Sequence, residues 1–363
     1  MDLFTSILSQ EQLHPNFLRV LVPERVGERE IVSEWAEGFP DRDNKFVHEF
    51  QTTFNSSFWE IYLHGLFKFY SFTMNWSHAS PDFWLRTPWG DVIVEAVTAN
   101  AASGAMPEWE KSKFMTKNVK DQIFWPLNRE AIIRLSSALL SKLRKYKSNY
   151  RTLAHVPGKP FVVAIAPFEQ PDFQYQYDRP MRALLYDDYV DEDACSRDPA
   201  RFPDGPPSVK LGTIEKDNGA SFDLGIFEND GWSEISAVMF SCVATWGKTV
   251  AMSSRPRLGT VATTWGTTLS GKSVGRMRSI GIPSETISDG LQIFHNPYAR
   301  NPLDLRIFRH DGVVQHYQSE TGWVREEYDA CLQCRTVHAI GLQDGEPPES
   351  YMAPNEAPTA VIL

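Results

Sequence analysis

The sequence predicts a mixed α/β (α+β) fold: a mixed sheet flanked by helices, with a second β-rich region towards the C-terminus. Three observations carry this expectation. A nearly all-apolar helix signal, a hairpin signal, an amphipathic helix and a buried-strand run follow one another over residues 57–167. Short β-like runs recur after residue 220. The 11 Trp, 12 Tyr and 22 Phe among 363 residues carry more large apolar surface than a disordered chain holds, so most of the chain must bury it. A chain of this length holds one large or two moderate domains, divided here as a lead-in (1–44), a core (45–167), a C-terminal α/β region completing or extending that core (168–345) and a Pro-rich tail (346–363).

Residues 1–44 are polar with scattered Pro and Gly, and FLRVLV at 17–22 is their only apolar run, which reads as irregular or lightly helical. From Ser56 or Ser57, either able to cap a helix, SFWEIYLHGLFKFY is apolar nearly all round and reads as a buried helix. Its polar exceptions, Glu60, His64 and Lys68, recur every four residues and share a face. Between Asp82 and Thr98, β-branched and aromatic runs surround a Pro/Gly turn at 88–91, the mark of a hairpin. Residues 101–120 read as a loop entering a helix. From Asn128 onward, Ile132, Leu135, Leu139, Leu143 and Tyr146 at three-to-four spacing predict an amphipathic helix. KPFVVAIAPFE then has the composition of a buried strand. Residues 168–218 are loop-rich, with FPDGPP at 202–207. Strands are expected at SFDLGIF, EISAVMFS, TVATTW, LQIFHN and LRIFRHDGVVQHY, and a disordered tail from Glu346.

No run approaches the roughly 20 apolar residues of a membrane-spanning helix, and MDLFTSILSQEQLH carries acid where a signal peptide carries Lys or Arg. A cytoplasmic protein with no membrane partner is expected. Its four cysteines, Cys195, Cys242, Cys331 and Cys334, are too sparse for a disulfide scaffold. The net charge of −10 argues against indiscriminate binding to nucleic acid, whose affinity comes from Lys and Arg. The average hides a segment from Lys111 to Arg151 with eleven basic residues against two acids. Within it Lys111, Lys113, Lys117, Lys120, Arg134, Lys145 and Tyr146 are the expected nucleic-acid contacts, with Trp109 and Trp125 close by for bases. The same run also reads as the solvated face of a helix.

The chemistry is expected at three acids. Asp82 stands at the start of one hairpin strand and Glu95 towards the end of its partner, positions that an antiparallel turn can place side by side. Glu60, on the preceding helix, offers a third carboxylate. Hard oxygen donors of this kind suit Mg²⁺ or Mn²⁺, which activates water and neutralises phosphate charge in phosphodiester cleavage. An acid in an apolar helix is costly unless paired or metal-bound, and His64 or Lys68 could pair with Glu60 instead.

Pro81-Asp82, then Glu95-Ala96-Val97 after a helix bearing Glu60, resembles the core of the PD-(D/E)XK nuclease superfamily. FWEIYLHGLF followed by PDFWL and VIVEAVTA is similar to a group of uncharacterised bacterial nuclease-like proteins. The resemblance implies a helix packed on a mixed sheet, two strand acids binding Mg²⁺ or Mn²⁺, and a lysine two residues past the second acid that positions water. That place holds Val97, so the chain is a variant lacking the motif lysine. In several branches of the superfamily the basic group migrates to the following helix, some carrying a QxxxY motif there. Lys142-Leu-Arg-Lys-Tyr146 occupies the matching helix, which makes Lys142 the candidate replacement and Lys113 a weaker one. The function so implied is a metal-dependent nuclease, with DNA the favoured substrate, a protein partner or homo-oligomer conceivable, and anti-phage defence a fitting role. The alternative is a nuclease-fold binding or structural subunit that has lost catalysis.

Other motifs compete. Gly266 to Ser273 matches the P-loop pattern, but the following VGRMRSIGIP ends within about two turns and no acidic Walker B strand follows. A nucleotide-binding regulator is therefore the third reading, against a Ser/Thr/Gly-rich surface loop. Cys331-Leu-Gln-Cys334 with His338 has the spacing of half a zinc site, which His310 or His316 would have to complete; buried structural cysteines are the plainer account. His295 lacks a visible nucleophile, and Ser241 lacks a Gly-x-Ser-x-Gly elbow.

Overall fold

The central strands of the main sheet send successive side chains to two buried faces, and that alternation sets the architecture. The computed structural model describes residues 1–111, 123–216, 218–266, 273–339 and 361–362. Four helices come first: α1 (Pro15–Val20), α2 (Val26–Ala36), α3 (Phe46–Thr52) and α4 (Phe54–Phe69). The first two decide for helix in residues 1–44, which read as irregular or lightly helical. Phe17, Val20, Val32 and Trp35 are sparse apolar residues at helical spacing, and they are buried against α4 rather than against one another. Helix α4 starts at Phe54, two residues before the expected Ser56 cap, and Thr53 makes no side-chain capping bond. Its Gly65 lets α2 approach closely, because a Cβ there would lie 2.7 Å from the Trp35 ring.

The strands β1 (Thr73–Met74), β2 (Phe83–Thr87) and β3 (Gly90–Asn100) follow, then the long helix α5 (Trp125–Ser148) and β4 (Phe161–Phe168). The loop-rich stretch beyond β4 contains α6 (Arg179–Tyr186), α7 (Glu192–Arg197) and two short hairpins, β5 (Tyr189–Val190) with β6 (Ser208–Val209) and β7 (Thr213–Glu215) with β8 (Ser221–Asp223). The SFDLGIF run thus contributes only a short strand. Next come β9 (Ala237–Phe240), α8 (Trp246–Met252), β10 (Gly259–Gly266), β11 (Ser273–Ser279), β12 (Leu291–His295), β13 (Val313–Ser319), β14 (Gly322–Glu326), β15 (Cys331–Ala339) and β16 (Val361–Ile362). Leu305–Phe308 of the LRIFRH run is a 3₁₀ turn, and β14 and β15 were not anticipated.

Eight strands form one mixed sheet in the order β1-β2-β3-β4-β9-β12-β13-β14. β3, β4 and β9 run parallel at its centre, while β1, β2 and β14 are antiparallel to their neighbours. This sheet takes strands from both sides of residue 168, so the C-terminal region extends the core. Val92, Val94, Ala164 and Met239 face α4 and the other N-terminal helices; Ile93, Val163, Ile165 and Val238 face α5 and α6. Every residue of β4 is buried, as a central parallel strand between two helical layers requires.

A second sheet, in the order β15-β10-β11-β16, makes the C-terminal part β-rich. The VGRMRSI run is strand β11 rather than a short helix, paired antiparallel with β10 so that Gly266 opposes Ser273. Residues 267–272 of the P-loop-like motif lie outside the described residues, but Ser273 opens a strand where a P-loop opens a helix. Most of the tail also lies outside them; Val361–Ile362 correct the disordered reading locally, pairing with β11. No described helix is long and apolar enough to cross a membrane.

Candidate functional site

The hairpin register decides which side chains meet. Phe83 pairs with Val94, so the next residue outward, Asp82, falls opposite Glu95. Asp82 Oδ2 accepts a hydrogen bond of 2.7 Å from the Ala96 amide, and its Oδ1 takes none from the described residues. Both acids lie on the α5 side, because Trp84 and Ile93, which share their parity on β2 and β3, pack there.

Glu95 is fully buried at the middle of β3, a position that would be prohibitive for an unpaired charge. Its partners come from one end of α5. Lys142 Nζ donates to Glu95 Oε1 at 2.7 Å and Lys145 Nζ donates to the same oxygen at 3.0 Å. The Tyr150 hydroxyl lies 2.9 Å from both carboxylate oxygens. Lys142 and Lys145 are three apart on the helix and therefore share a face. Tyr146, expected beside them, points into the core against Phe161 and is unavailable to a nucleic acid. Val97 stands two residues beyond Glu95 and is partly buried, so Lys142 brings its ammonium to Glu95 from the opposite layer.

Glu60 approaches from the other side of the sheet on α4. It makes no hydrogen bond or salt bridge among the described residues, whereas its expected partners are engaged elsewhere: His64 with the Trp35 carbonyl at 2.6 Å, Lys68 with the Glu34 and Glu37 carbonyls. Burial, and then the charges of Asp82, Glu49 and Glu95, push the Glu60 carboxyl up to about 8. Asp82 is raised to about 6 by burial and by Glu95, against the opposing pull of Lys142 and the Ala96 amide. Burial is the first cause for both and Lys142 pulls both down, but the Ala96 amide and Lys145 pull down Asp82 as well, so Glu60 stands higher.

Among the described residues no three Asp, Glu, His or Cys side chains are already drawn together into a metal cage. Glu95 is turned instead to its lysines. The donor set still fits a hard divalent cation: it is all oxygen, Glu60 is unpartnered, and Asp82 keeps one oxygen free.

The basic segment divides. Lys113, Lys117 and Lys120 lie outside the described residues. Lys111 is tied to the Glu169 carbonyl at 3.0 Å and Arg134 to the Asn100 carbonyl at 3.0 Å, so both pin loops at the ends of β4 and β3. Trp109 packs on His14 and Trp125 on Tyr189. An aromatic surface does exist, but elsewhere. Trp84, two residues past Asp82 on the same face, stacks near His155 at 5.6 Å, and His155 stacks on exposed His78 at 3.8 Å with the rings 6° from parallel. Lys159 Nζ stands 5.0 Å from the Trp84 ring centre and the Arg86 guanidinium 5.6 Å from it. Nothing in sequence spacing joins residues 78, 84 and 155; only the fold does.

The remaining motifs are structural. All four cysteines are free; Cys331 contacts the Tyr177 hydroxyl, His316 stacks on Phe294, and His310 stacks on Tyr70, so no zinc set forms among them. His295 pairs with Gln315 at 2.9 Å, and Ser241 caps the turn before α8 by accepting from the Ala244 amide.

The chain matches no protein-family model, no curated protein and no solved structure among those it was compared with.

Proposed function

We propose that this chain is a metal-dependent nuclease of the PD-(D/E)XK kind, acting on DNA, with Asp82, Glu95 and Glu60 around Mg²⁺ or Mn²⁺. The observation that carries the reading is that Asp82 stands opposite Glu95 across the hairpin and Lys142 from the next helix reaches Glu95, with Glu60 near enough for both acids to raise its carboxyl. Lys142 reaches Glu95 from α5, the helix to which the resemblance assigned the displaced motif lysine. A bound divalent cation supplies a polarised water and neutralises charge on the phosphate. The chain's own groups do the rest. Asp82 is held in place by the Ala96 amide, so its free oxygen is aimed without further ordering. Lys142 keeps a positive charge beside Glu95, where it can orient water or stabilise a phosphate oxygen. Glu60 retains its proton at neutral pH until a cation displaces it. The Trp84–His155–His78 stack, with Lys159 and Arg86, offers ring faces and cations for a nucleic-acid strand next to the acids.

One observation favours a second reading, a nuclease-fold binding subunit without catalysis: both Glu95 oxygens are already bonded by Lys142, Lys145 and Tyr150, as in a structural ion pair. Plasmid, linear duplex and single-stranded DNA incubated with Mg²⁺ or Mn²⁺ decide between them, beside Asp82→Asn and Glu95→Gln. Cleavage reduced about 100-fold or more in both variants supports the nuclease. DNA binding without cleavage by the wild type supports the subunit, and equal cleavage by all three proteins overturns the site.

A further inference from the structure

On the α4 side of the sheet, away from the strand face that carries Glu95, a cavity of about 190 Å³ opens beside Phe168, the last residue of β4. Thr245 and Trp246, which follow β9, close its other side. The carboxyl ends of neighbouring parallel strands are where open α/β sheets take up ligands.

Its walls are aromatic. Phe54, Phe58 and Trp246 form one cluster, with each phenylalanine ring 5.9 Å from the Trp246 ring. Phe168 and Phe173 form another, edge to face at 5.3 Å. A flat apolar body fits between such surfaces.

The polar groups on the cavity are unbalanced towards donors and positive charge. Trp246 Nε1 is buried and has no hydrogen-bond partner, although an indole N–H is a donor only and ordinarily finds an acceptor. The Arg25 side chain is partly buried and makes no hydrogen bond or ion pair among the described residues. Burial and the neighbouring charges of Arg257 and Arg19 pull it below the usual arginine range. Of the two acids that act on it, Glu28 is bound by Arg257 at 2.9 Å and Glu24 is exposed to solvent. Glu108, the one carboxylate among the described residues that line the cavity, is held by the side-chain amides of Asn16 and Asn55 at 2.9 Å each. Arg19 and Arg25 therefore place two guanidinium groups against a single, already bonded acid.

We infer that this cavity binds a small organic anion with a flat aromatic body, its carboxylate or phosphate held by Arg25 and an acceptor atom held by Trp246 Nε1. The site is separate from the acidic constellation and does not depend on the nuclease reading.

Calorimetric titration of the full chain with benzoate, phenyl phosphate, benzamide and inorganic phosphate tests it. Benzoate or phenyl phosphate is expected to saturate one site at millimolar concentration or below, and the preferred one identifies the anionic group. Neutral benzamide is expected to bind about tenfold more weakly, the worth of one charge-assisted hydrogen bond. Arg25→Gln should abolish that preference with little change in melting temperature, since the Arg25 side chain has no hydrogen bond or ion pair to lose among the described residues. Trp246→Phe should weaken the aryl anion several-fold. Benzamide binding as tightly as benzoate, inorganic phosphate binding as well as the aryl anions, Arg25→Gln binding benzoate unchanged, or no aryl probe binding at all would each overturn the inference.

Discussion

Lys142 Nζ lies 2.7 Å from Glu95 Oε1, an ammonium on helix α5 meeting a carboxylate buried at the middle of β3. The pair joins the two layers at the point where the motif lysine is missing. Lys145 and Tyr150 bond the same carboxylate, so the consequences of removing Lys142 can be separated by measurement.

Lys142→Ala leaves Glu95 with one ammonium and one hydroxyl, so it is expected to cost about 1–3 kcal/mol in urea unfolding, less than stripping a buried charge of every partner. If Lys142 also acts on substrate, DNA cleavage falls about 100-fold or more in the folded variant. Lys145→Ala, whose side chain is 46% exposed, should lose little stability and most of its effect should appear in binding. Cleavage unchanged in folded Lys142→Ala would reduce Lys142 to a counter-charge.

Glu60 makes stability fall as pH rises. Its carboxyl titrates near its ordinary 4.5 when unfolded and at about 8 when folded, because burial and Asp82 disfavour the charge. Below pH 4.5 both states are protonated and nothing is lost. Between 4.5 and about 8 the unfolded chain releases a proton that the folded chain keeps, and stability declines until the folded carboxyl also ionises. Glu60→Gln is therefore expected to melt at the same temperature as wild type near pH 4 and higher at pH 8–9, by a free energy on the order of 2 kcal/mol. Mg²⁺ should narrow the gap by favouring the ionised carboxyl. A melting difference independent of pH would refute the assignment.

The hairpin, both flanking helices and the buried strand were legible because each carries a complete local period: three-to-four spacing on α5, an unbroken apolar run in β4. The opposition of Asp82 and Glu95 followed from the turn between them. Of the partners of Glu95, Lys142 was named from its helix, but Lys145 and Tyr150 were not, because a four-residue step pointed to Tyr146, whereas Lys145 one residue earlier faces the acid and Tyr150 reaches it from the turn after α5. Helices α1 and α2 were legible only as an irregular or lightly helical stretch, because short helices with few apolar residues are stabilised by what they pack on. Strand β11 was missed because its exposed Arg276, its half-buried Arg278 and its Gly275 hide a two-residue period. The stack of His78, His155 and Trp84 joins residues on three separate segments, and no local pattern encodes that.

Trp84→Ala tests whether that stack holds substrate. Stacking of a base on an aromatic ring is worth about 1–3 kcal/mol, so a fluorescent single-stranded oligonucleotide should bind on the order of 5–100-fold more weakly to the variant. The Trp84 indole also donates to Asp91 Oδ2 at 2.8 Å, which makes Trp84→Phe the control: it loses that bond and keeps a ring face. Affinity restored by Phe assigns the ring a role in binding. Affinity equally weak in both variants, or unchanged in both, removes the stack from the interface.

A second buried ion network lies far along the chain from these residues and holds the C-terminal sheet to the rest. Glu285 bonds Arg335 of β15 through both oxygens, at 2.6 and 2.7 Å, and Lys248 of α8 at 3.0 Å. Burial alone would raise Glu285, but Arg335 and Lys248 outweigh it and hold it below the usual carboxylate range. Glu285→Gln keeps the shape and leaves two buried cations without a carboxylate, which is expected to cost about 3–5 kcal/mol in urea unfolding at pH 7. Because the folded carboxyl is depressed, its contribution is present above pH 4.5 and is lost as the pH falls through the folded value, so wild type should converge on the variant in acid. Replacing all three by apolar residues of similar volume should cost less than the single change, since no charge is then left buried. A variant Glu285→Gln as stable as wild type at pH 7 would mean that the carbonyls of Thr286, Asp289 and Val243, which also bond Lys248 and Arg335, suffice without the Glu285 charge.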